Sequence, residues 1–210
     1  MMRENLIDIL KVIKLGEKLK YELRHSWLST GRQESVAEHT WRVSLMAMLI
    51  EPYLDKKVDI AKLLKMIIIH DLVEAEARDI PAFETINNME KKKEKERNEM
   101  RAIENIRDTL KGNLGEDIYN LWIEFENKQS FEAKVANALD KLEAQIQHNE
   151  ADISTWIDVE YQMSFMLGKH TDFNTVLTQF KDIIEEEAEI KIKNEGIVEV
   201  ENVKLNLVKQ

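Results

Sequence analysis

Met66-Ile67-Ile68-Ile69-His70-Asp71-Leu72-Val73-Glu74, continued by Ala75-Glu76-Ala77-Arg78-Asp79-Ile80-Pro81, decides how the rest of this chain is read. An apolar run passes directly into a histidine and a carboxylate, with another carboxylate one turn later. Asp59 can cap the helix start. Leu63, Ile67, His70, Asp71 and Glu74 recur at steps of three or four, which predicts one helical face through Glu74. Polar groups therefore continue the stripe that the isoleucines begin, where more core is expected. Burying an imidazole and two carboxylates without partners costs on the order of several kcal/mol for the ionised groups. A divalent cation balances them best, so this helix reads as half of a metal site.

Upstream, Ser35-Val36-Ala37-Glu38 has capping-box spacing and predicts a helix from there to about Ile50, stopping near Pro52. His39, Val43, Met46, Ala47 and Ile50 share one face of it. A lone histidine on an apolar stripe is ordinarily a satisfied core residue; the second polar intrusion at His70-Asp71 changes that reading. Downstream, Ser130 can cap a helix to about Asn149, in which Ala133, Ala136, Asp140 and Ala144 lie on one face. The small neighbours let that helix approach closely and carry Asp140 toward whatever it faces. His39, His70, Asp71 and Asp140 thus come from separate helices. Two imidazoles with two carboxylates suit a metal such as Mn, Fe, Co or Zn, and inward-pointing ligands of a helical bundle build such sites.

Only two prolines and six glycines in 210 residues favour long helices, and 43% apolar residues suffice for a sizeable core. The fold class expected is all-α. Leu6, Ile9, Leu10, Ile13 and Leu19 form a helical stripe that Gly16 weakens, and Arg24 to Arg32 lacks periodicity and reads as loop. Lys91 to Arg97 alternates in sign, as a solvated helix face does. Gly112 to Gly115 is expected to break the chain between helices. After Gly196 the pattern Val198, Val200, Val203, Leu205, Leu207 allows a hairpin, an added strand or a disordered tail. The expected division is therefore residues 1–190 as one domain and 191–210 as a tail. A formal charge of −10 disfavours a nucleic-acid polymer as partner. No apolar run suits a signal sequence or a membrane span. With no cysteine, thiolate zinc sites and disulfides are excluded, which is compatible with a cytoplasmic location.

Glu34-Ser35-Val36-Ala37-Glu38-His39, His70-Asp71-Leu72-Val73-Glu74-Ala75, Asp79-Ile80-Pro81, Leu121-Trp122-Ile123-Glu124-Phe125-Glu126 and Leu139-Asp140 occur in that order. Together they resemble the 5'-deoxynucleotidase branch of the HD superfamily of metal-dependent phosphohydrolases, over about residues 5 to 185. The resemblance implies an HD-domain helical bundle, frequent homodimers, and hydrolysis of deoxynucleoside 5'-monophosphates to deoxynucleoside and phosphate. It implies one divalent metal ion (Mn, Co, Fe, Zn or Mg) held by His39, His70, Asp71 and Asp140. It further assigns water activation to Glu74, a sugar contact to Asp79, and substrate contacts that disfavour a ribose 2'-hydroxyl to Arg24 and Trp27. In one branch that Arg and Trp are adjacent; here His25 and Ser26 intervene, as in the eukaryotic pattern.

The chemistry follows from charge: a divalent ion lowers the pKa of a bound water and neutralises the transferring phosphoryl group, and Glu74 can take the proton. Glu74 could instead be a surface residue pairing with Arg78 at i+4, and Lys141 a solvent-facing lysine rather than a phosphate contact. The rival functions are hydrolysis of another nucleotide, such as a nucleoside triphosphate, and a non-catalytic metal-bound nucleotide-binding module.

Overall fold

The computed structural model describes residues 2–86, 88–196 and 198–207. It is an all-helical bundle with one small hairpin. Helix α1 (Met2–Leu15) gives way at Gly16 to a 3-10 turn over Gly16–Lys20, and antiparallel strands β1 (Leu23–Trp27) and β2 (Gln33–Ser35) follow. Next come α2 (Val36–Ile50), α3 (Ile60–His70), α4 (Glu74–Ala77), α5 (Ala82–Ile86), α6 (Met89–Leu110) and α7 (Gly112–Glu126). The chain continues through α8 (Phe131–Glu150), α9 (Asp158–Met163), α10 (Gly168–Thr171), α11 (Thr175–Glu195) and α12 (Val200–Leu207).

The centre is the mutual packing of α2, α3 and α8, with α7 and α11 closing the sides. Leu63, Met66, Ile67, Leu139 and Leu142 are essentially inaccessible there, each contributing about 2 kcal/mol of burial. Local signals place these helices. Ser35 and Glu38 form the predicted capping box of α2, Asp59 accepts from Lys62 N–H, and Ser130 accepts from Ala133 N–H.

Several expectations need correction. The helical face through Glu74 is broken: α3 ends at His70 and Asp71–Val73 is a turn. The cause is Trp122, whose indole N–H donates to His70 O at 3.1 Å. Glu74 N–H, which a continuing helix would direct to that carbonyl, bonds Asp71 O at 3.0 Å instead. The segment read as loop from Arg24 carries β1. It pairs Leu23 with Ser35 and Trp27 with Gln33 around a turn in which Gly31 adopts φ +85°. The break after α6 falls on Lys111 at φ +57°, with Gly112 already helical. Gly115 serves packing, since a Cβ there would lie 2.4 Å from Arg107 O.

The C-terminal alternation is helix α12. Val200 and Val203, three residues apart, both bury against Trp156, Tyr161, Ala188 and Ile192. Residues 208–210 lie outside the described residues. On α1 the apolar stripe is turned outward, with Leu6, Leu10 and Ile13 exposed. Val12 and Leu15 pack inward, and Asp8 pairs with Lys11 and Lys111. On α2, Trp41, Met48 and Leu49 are likewise exposed.

Candidate metal centre and substrate cleft

His39, one turn into α2, is wholly buried. Its Nδ1 is hydrogen-bonded to Glu143 of α8, leaving Nε2 3.1 Å from Asp140 Oδ1 and 3.7 Å from Asp71 Oδ2. His70 Nδ1 lies 2.6 Å from Ile67 O, a partner that can only accept, so the proton sits on Nδ1 and Nε2 is the free position. That Nε2 is 3.1 Å from Asp71 Oδ1 and 4.0 Å from Asp140 Oδ1. The structure thus brings together all four residues expected at the centre. His70 Nε2 and Asp71 Oδ2 are buried without a hydrogen-bond partner, as expected of atoms reserved for another ligand.

Electrostatics tie the four together. Burial and Arg24 oppose a charge on His39, but Glu143 and Asp140 outweigh them and raise it to about 9. Burial likewise opposes a charged His70, and Asp71 raises it nonetheless. Against burial, His70 holds Asp71 at about 2, while Lys141, His39 and His70 hold Asp140 well below the usual carboxylate range. The two imidazoles and the two carboxylates thus stabilise one another's charged forms. Deprotonated, the same imidazoles and the two acids present nitrogen and oxygen donors that can hold one divalent cation. The residues fit such an ion.

Beside the cluster opens a cleft of about 640 Å³, within the range of small-ligand sites. Arg24, Asp71, Glu74, Asp79 and Asp140 line it. Arg24 Nη1 lies 3.9 Å from Asp71 Oδ2, and its Nε lies 3.4 Å from Glu34 Oε2. Glu74 is buried, and its Oε2 has no hydrogen-bond partner. Burial first, then Asp71 and Asp79, push its carboxyl well above the ordinary value. Burial also raises Asp79, with Arg24 opposing. Trp27 is not among the residues lining the cleft. Its ring meets the edge of His25 at 4.8 Å, and its carbonyl accepts from Gln147 Nε2 at 2.6 Å.

Other residues at the site were not singled out from the sequence. Glu143 orients His39, and Arg42 fixes Glu143 through an Nε contact of 2.6 Å while also bonding Glu150 and Gln147. Glu143 stands one turn beyond Asp140 on the same face, a spacing that could have signalled it. Lys95 projects from the charged helix α6 into the cleft, bonded to Ile80 O at 3.3 Å and 3.5 Å from Glu99. Lys141, by contrast, does draw notice in the sequence, where it reads as a solvent-facing lysine; its Nζ is 2.9 Å from Asp140 Oδ2, and it also lines the cleft. In a chain of net charge −10, Arg24, Lys95 and Lys141 thus stand at a cleft that acidic side chains also line, each cation beside a carboxylate.

A helical bundle with two histidines and two aspartates converging from α2, the end of α3 and α8 defines the class: the chain belongs to the HD domain family, whose model matches residues 16–183. Within that family it is similar to the 5'-deoxynucleotidase HDDC2 of Danio rerio, 36% identical over 145 residues that cover 68% of this chain and 69% of that protein. The 5'-deoxynucleotidase HDDC2 of Homo sapiens is 32% identical over 145 residues, covering 68% of each. Among solved structures, a predicted metal-dependent phosphohydrolase from Magnetospirillum magnetotacticum superimposes with a TM-score of 0.77 at 26% identity. The match covers 90% of this chain and 97% of that one. Among the described residues, no helix is long and apolar enough to cross a membrane.

Proposed function

We propose that this protein is a phosphomonoesterase that hydrolyses deoxynucleoside 5'-monophosphates to deoxynucleoside and phosphate. The observation that carries the reading is the convergence of His39, His70, Asp71 and Asp140 beside a cleft that the last three line and in which Glu74 stands buried with an unpartnered oxygen. The names of the relatives point to the same reaction. His39, His70, Asp71 and Asp140 hold one divalent cation, and two imidazole donors favour Mn, Fe, Co or Zn over Mg. Such an ion, when bound, supplies the charge that makes water acidic and offsets phosphoryl charge.

The chain's own groups supply the rest. Glu74 takes the proton of the attacking water as the water oxygen bonds to phosphorus; the ester P–O bond breaks and the departing 5'-oxygen takes up a proton from solvent, which gives the deoxynucleoside. Arg24, Lys95 and Lys141 receive phosphate oxygens, Arg24 with a planar and permanent charge. Asp79 accepts a sugar hydroxyl. Trp27 acts from behind, holding His25 and the strand that presents Arg24. The working unit is residues 1–190, and within 191–210 helix α12 braces α9.

Phosphate release from deoxy- and ribonucleoside mono- and triphosphates, with Mn, Co, Mg or chelator, tests this. Release selective for deoxymonophosphates and abolished by chelator is the expected result. Turnover confined to triphosphates, or binding with no turnover, overturns it. We further infer cytoplasmic residence, with which the cysteine-free sequence is compatible, and a homodimer formed through the exposed Trp41, Met48 and Leu49 of α2. Light scattering is expected to return twice the chain mass, and a Met48→Glu variant the monomer; a monomeric wild type refutes the dimer.

A further inference from the structure

Away from the four cation-facing residues, the cleft wall carries a second polar cluster. His25 of β1, His148 of α8 and Glu160 of α9 all line it. Glu160 Oε2 is committed, accepting from Ile157 N–H at 2.8 Å in the cap of α9. Its Oε1 faces His25 Nε2 at 3.5 Å and His148 Nε2 at 3.6 Å, beyond good hydrogen-bond distance for both. His25 Nε2 is buried and has no hydrogen-bond partner. Aromatic edges fix both rings: Trp27 at 4.8 Å and Phe83 at 4.9 Å from His25, Trp156 at 5.7 Å from His148. One carboxylate oxygen is thus flanked by two held imidazole nitrogens, none of which satisfies another.

The cluster lies within reach of a ligand seated at the centre. Arg24, which touches Asp71, and His25 are consecutive residues of β1. Along α8, Asp140, Ala144 and His148 follow at steps of four and all line the cleft. Eight residues of helix span about 12 Å, a length that a nucleoside monophosphate covers. Ala144 leaves room between the two ends where a sugar passes.

We propose that His25, Glu160 and His148 form a nucleobase-reading subsite whose donor–acceptor–donor order complements the imide edge of thymine or uracil. The inference rests on the deoxynucleotidase reading and adds to it the class of base. A neutral imidazole has one N–H. Placed on Nε2, it donates to a carbonyl on either side, while Glu160 Oε1 accepts the imide N–H between them. Burial keeps both rings neutral, His148 down to about 4, and raises Glu160 to about 7, so the ionised acceptor is populated at and above neutral pH. On the edge that a base presents when unpaired, cytosine offers donor–acceptor–acceptor and guanine acceptor–donor–donor. Each leaves a buried group of this cluster facing its own kind, the mismatch that hydrogen-bonding sites reject most strongly.

Calorimetric binding of thymidine and deoxycytidine to the full chain tests the subsite with neither phosphate nor turnover. Thymidine is expected to bind at least about tenfold more tightly. Deoxycytidine sets its amino group against an imidazole N–H and its N3 against Glu160 Oε1, and one such unpaired buried group already accounts for that factor. Glu160→Gln keeps an oxygen for the Ile157 cap and should shrink the ratio to about twofold or less, and His148→Phe should shift it the same way. Equal binding of the two nucleosides by the wild type, no binding of either, or parallel losses in both variants would overturn the subsite. Failure of the deoxynucleotidase reading shows elsewhere, as no phosphate release from any nucleotide.

Discussion

Asp140→Ala is expected to lose bound divalent metal and phosphate release together. Asp140 lies 3.1 Å from His39 Nε2 and 4.0 Å from His70 Nε2, bridging α8 to the histidines of α2 and α3. Loss of a group that merely supports a metal ligand costs about 10- to 100-fold in affinity; loss of a ligand should exceed that range. Metal content after gel filtration and phosphate release should fall in parallel. The substitution also leaves Lys141 and the two imidazoles without their shared carboxylate. Circular dichroism therefore belongs beside both assays, and Asp140→Asn, which keeps the volume, should show the same paired loss. A variant that retained metal while losing rate would remove Asp140 from the ligand set.

Glu74→Gln separates binding from chemistry. Metal content should be unchanged while the rate drops about 10²- to 10⁴-fold, the range for losing a positioned general base. The pH dependence has a definite sign. Burial, Asp71 and Asp79 raise the Glu74 carboxyl, and only its ionised form can take a proton. Activity should therefore climb as pH rises through that pKa, and the climb should vanish in the variant. Stability moves oppositely. A carboxyl whose folded pKa exceeds its unfolded value makes the fold less stable as pH rises from the unfolded pKa through the folded one. Chelated Glu74→Gln should melt higher than chelated wild type at pH 8 and near it at pH 4. Full activity of the variant would end the assignment of Glu74 as base.

Much of the centre is legible because its polar residues interrupt regular patterns. His39 and His70 occupy stripe positions that aliphatic side chains would fill, and Asp140 sits among small residues on a buried face. Capping residues mark the starts of α2, α3 and α8 in the sequence. What escapes is set by distant partners. The end of α3 depends on the Trp122 indole, 52 residues beyond the carbonyl it captures. β1 escapes because Arg24, His25 and Ser26 are consecutive polar residues that line the cleft, which leaves no apolar alternation to mark a strand. Lys95 looks like any lysine of a solvated helix until α6 is seen to border the cleft. The stripe on α1 misleads differently, since periodicity reports an apolar face without saying what covers it.

The hairpin is the one non-helical element among the described residues, and it presents Arg24 and His25 while the four cation-facing side chains stand on α2, α8 and the end of α3. Of the groups proposed to read the base, His25 stands on this ribbon, whereas His148 shares α8 with Asp140. Substitution at His25 leaves all four cation-facing side chains, and the Arg24 beside Asp71, in place, which makes this position of the short ribbon the natural entry point for directed evolution.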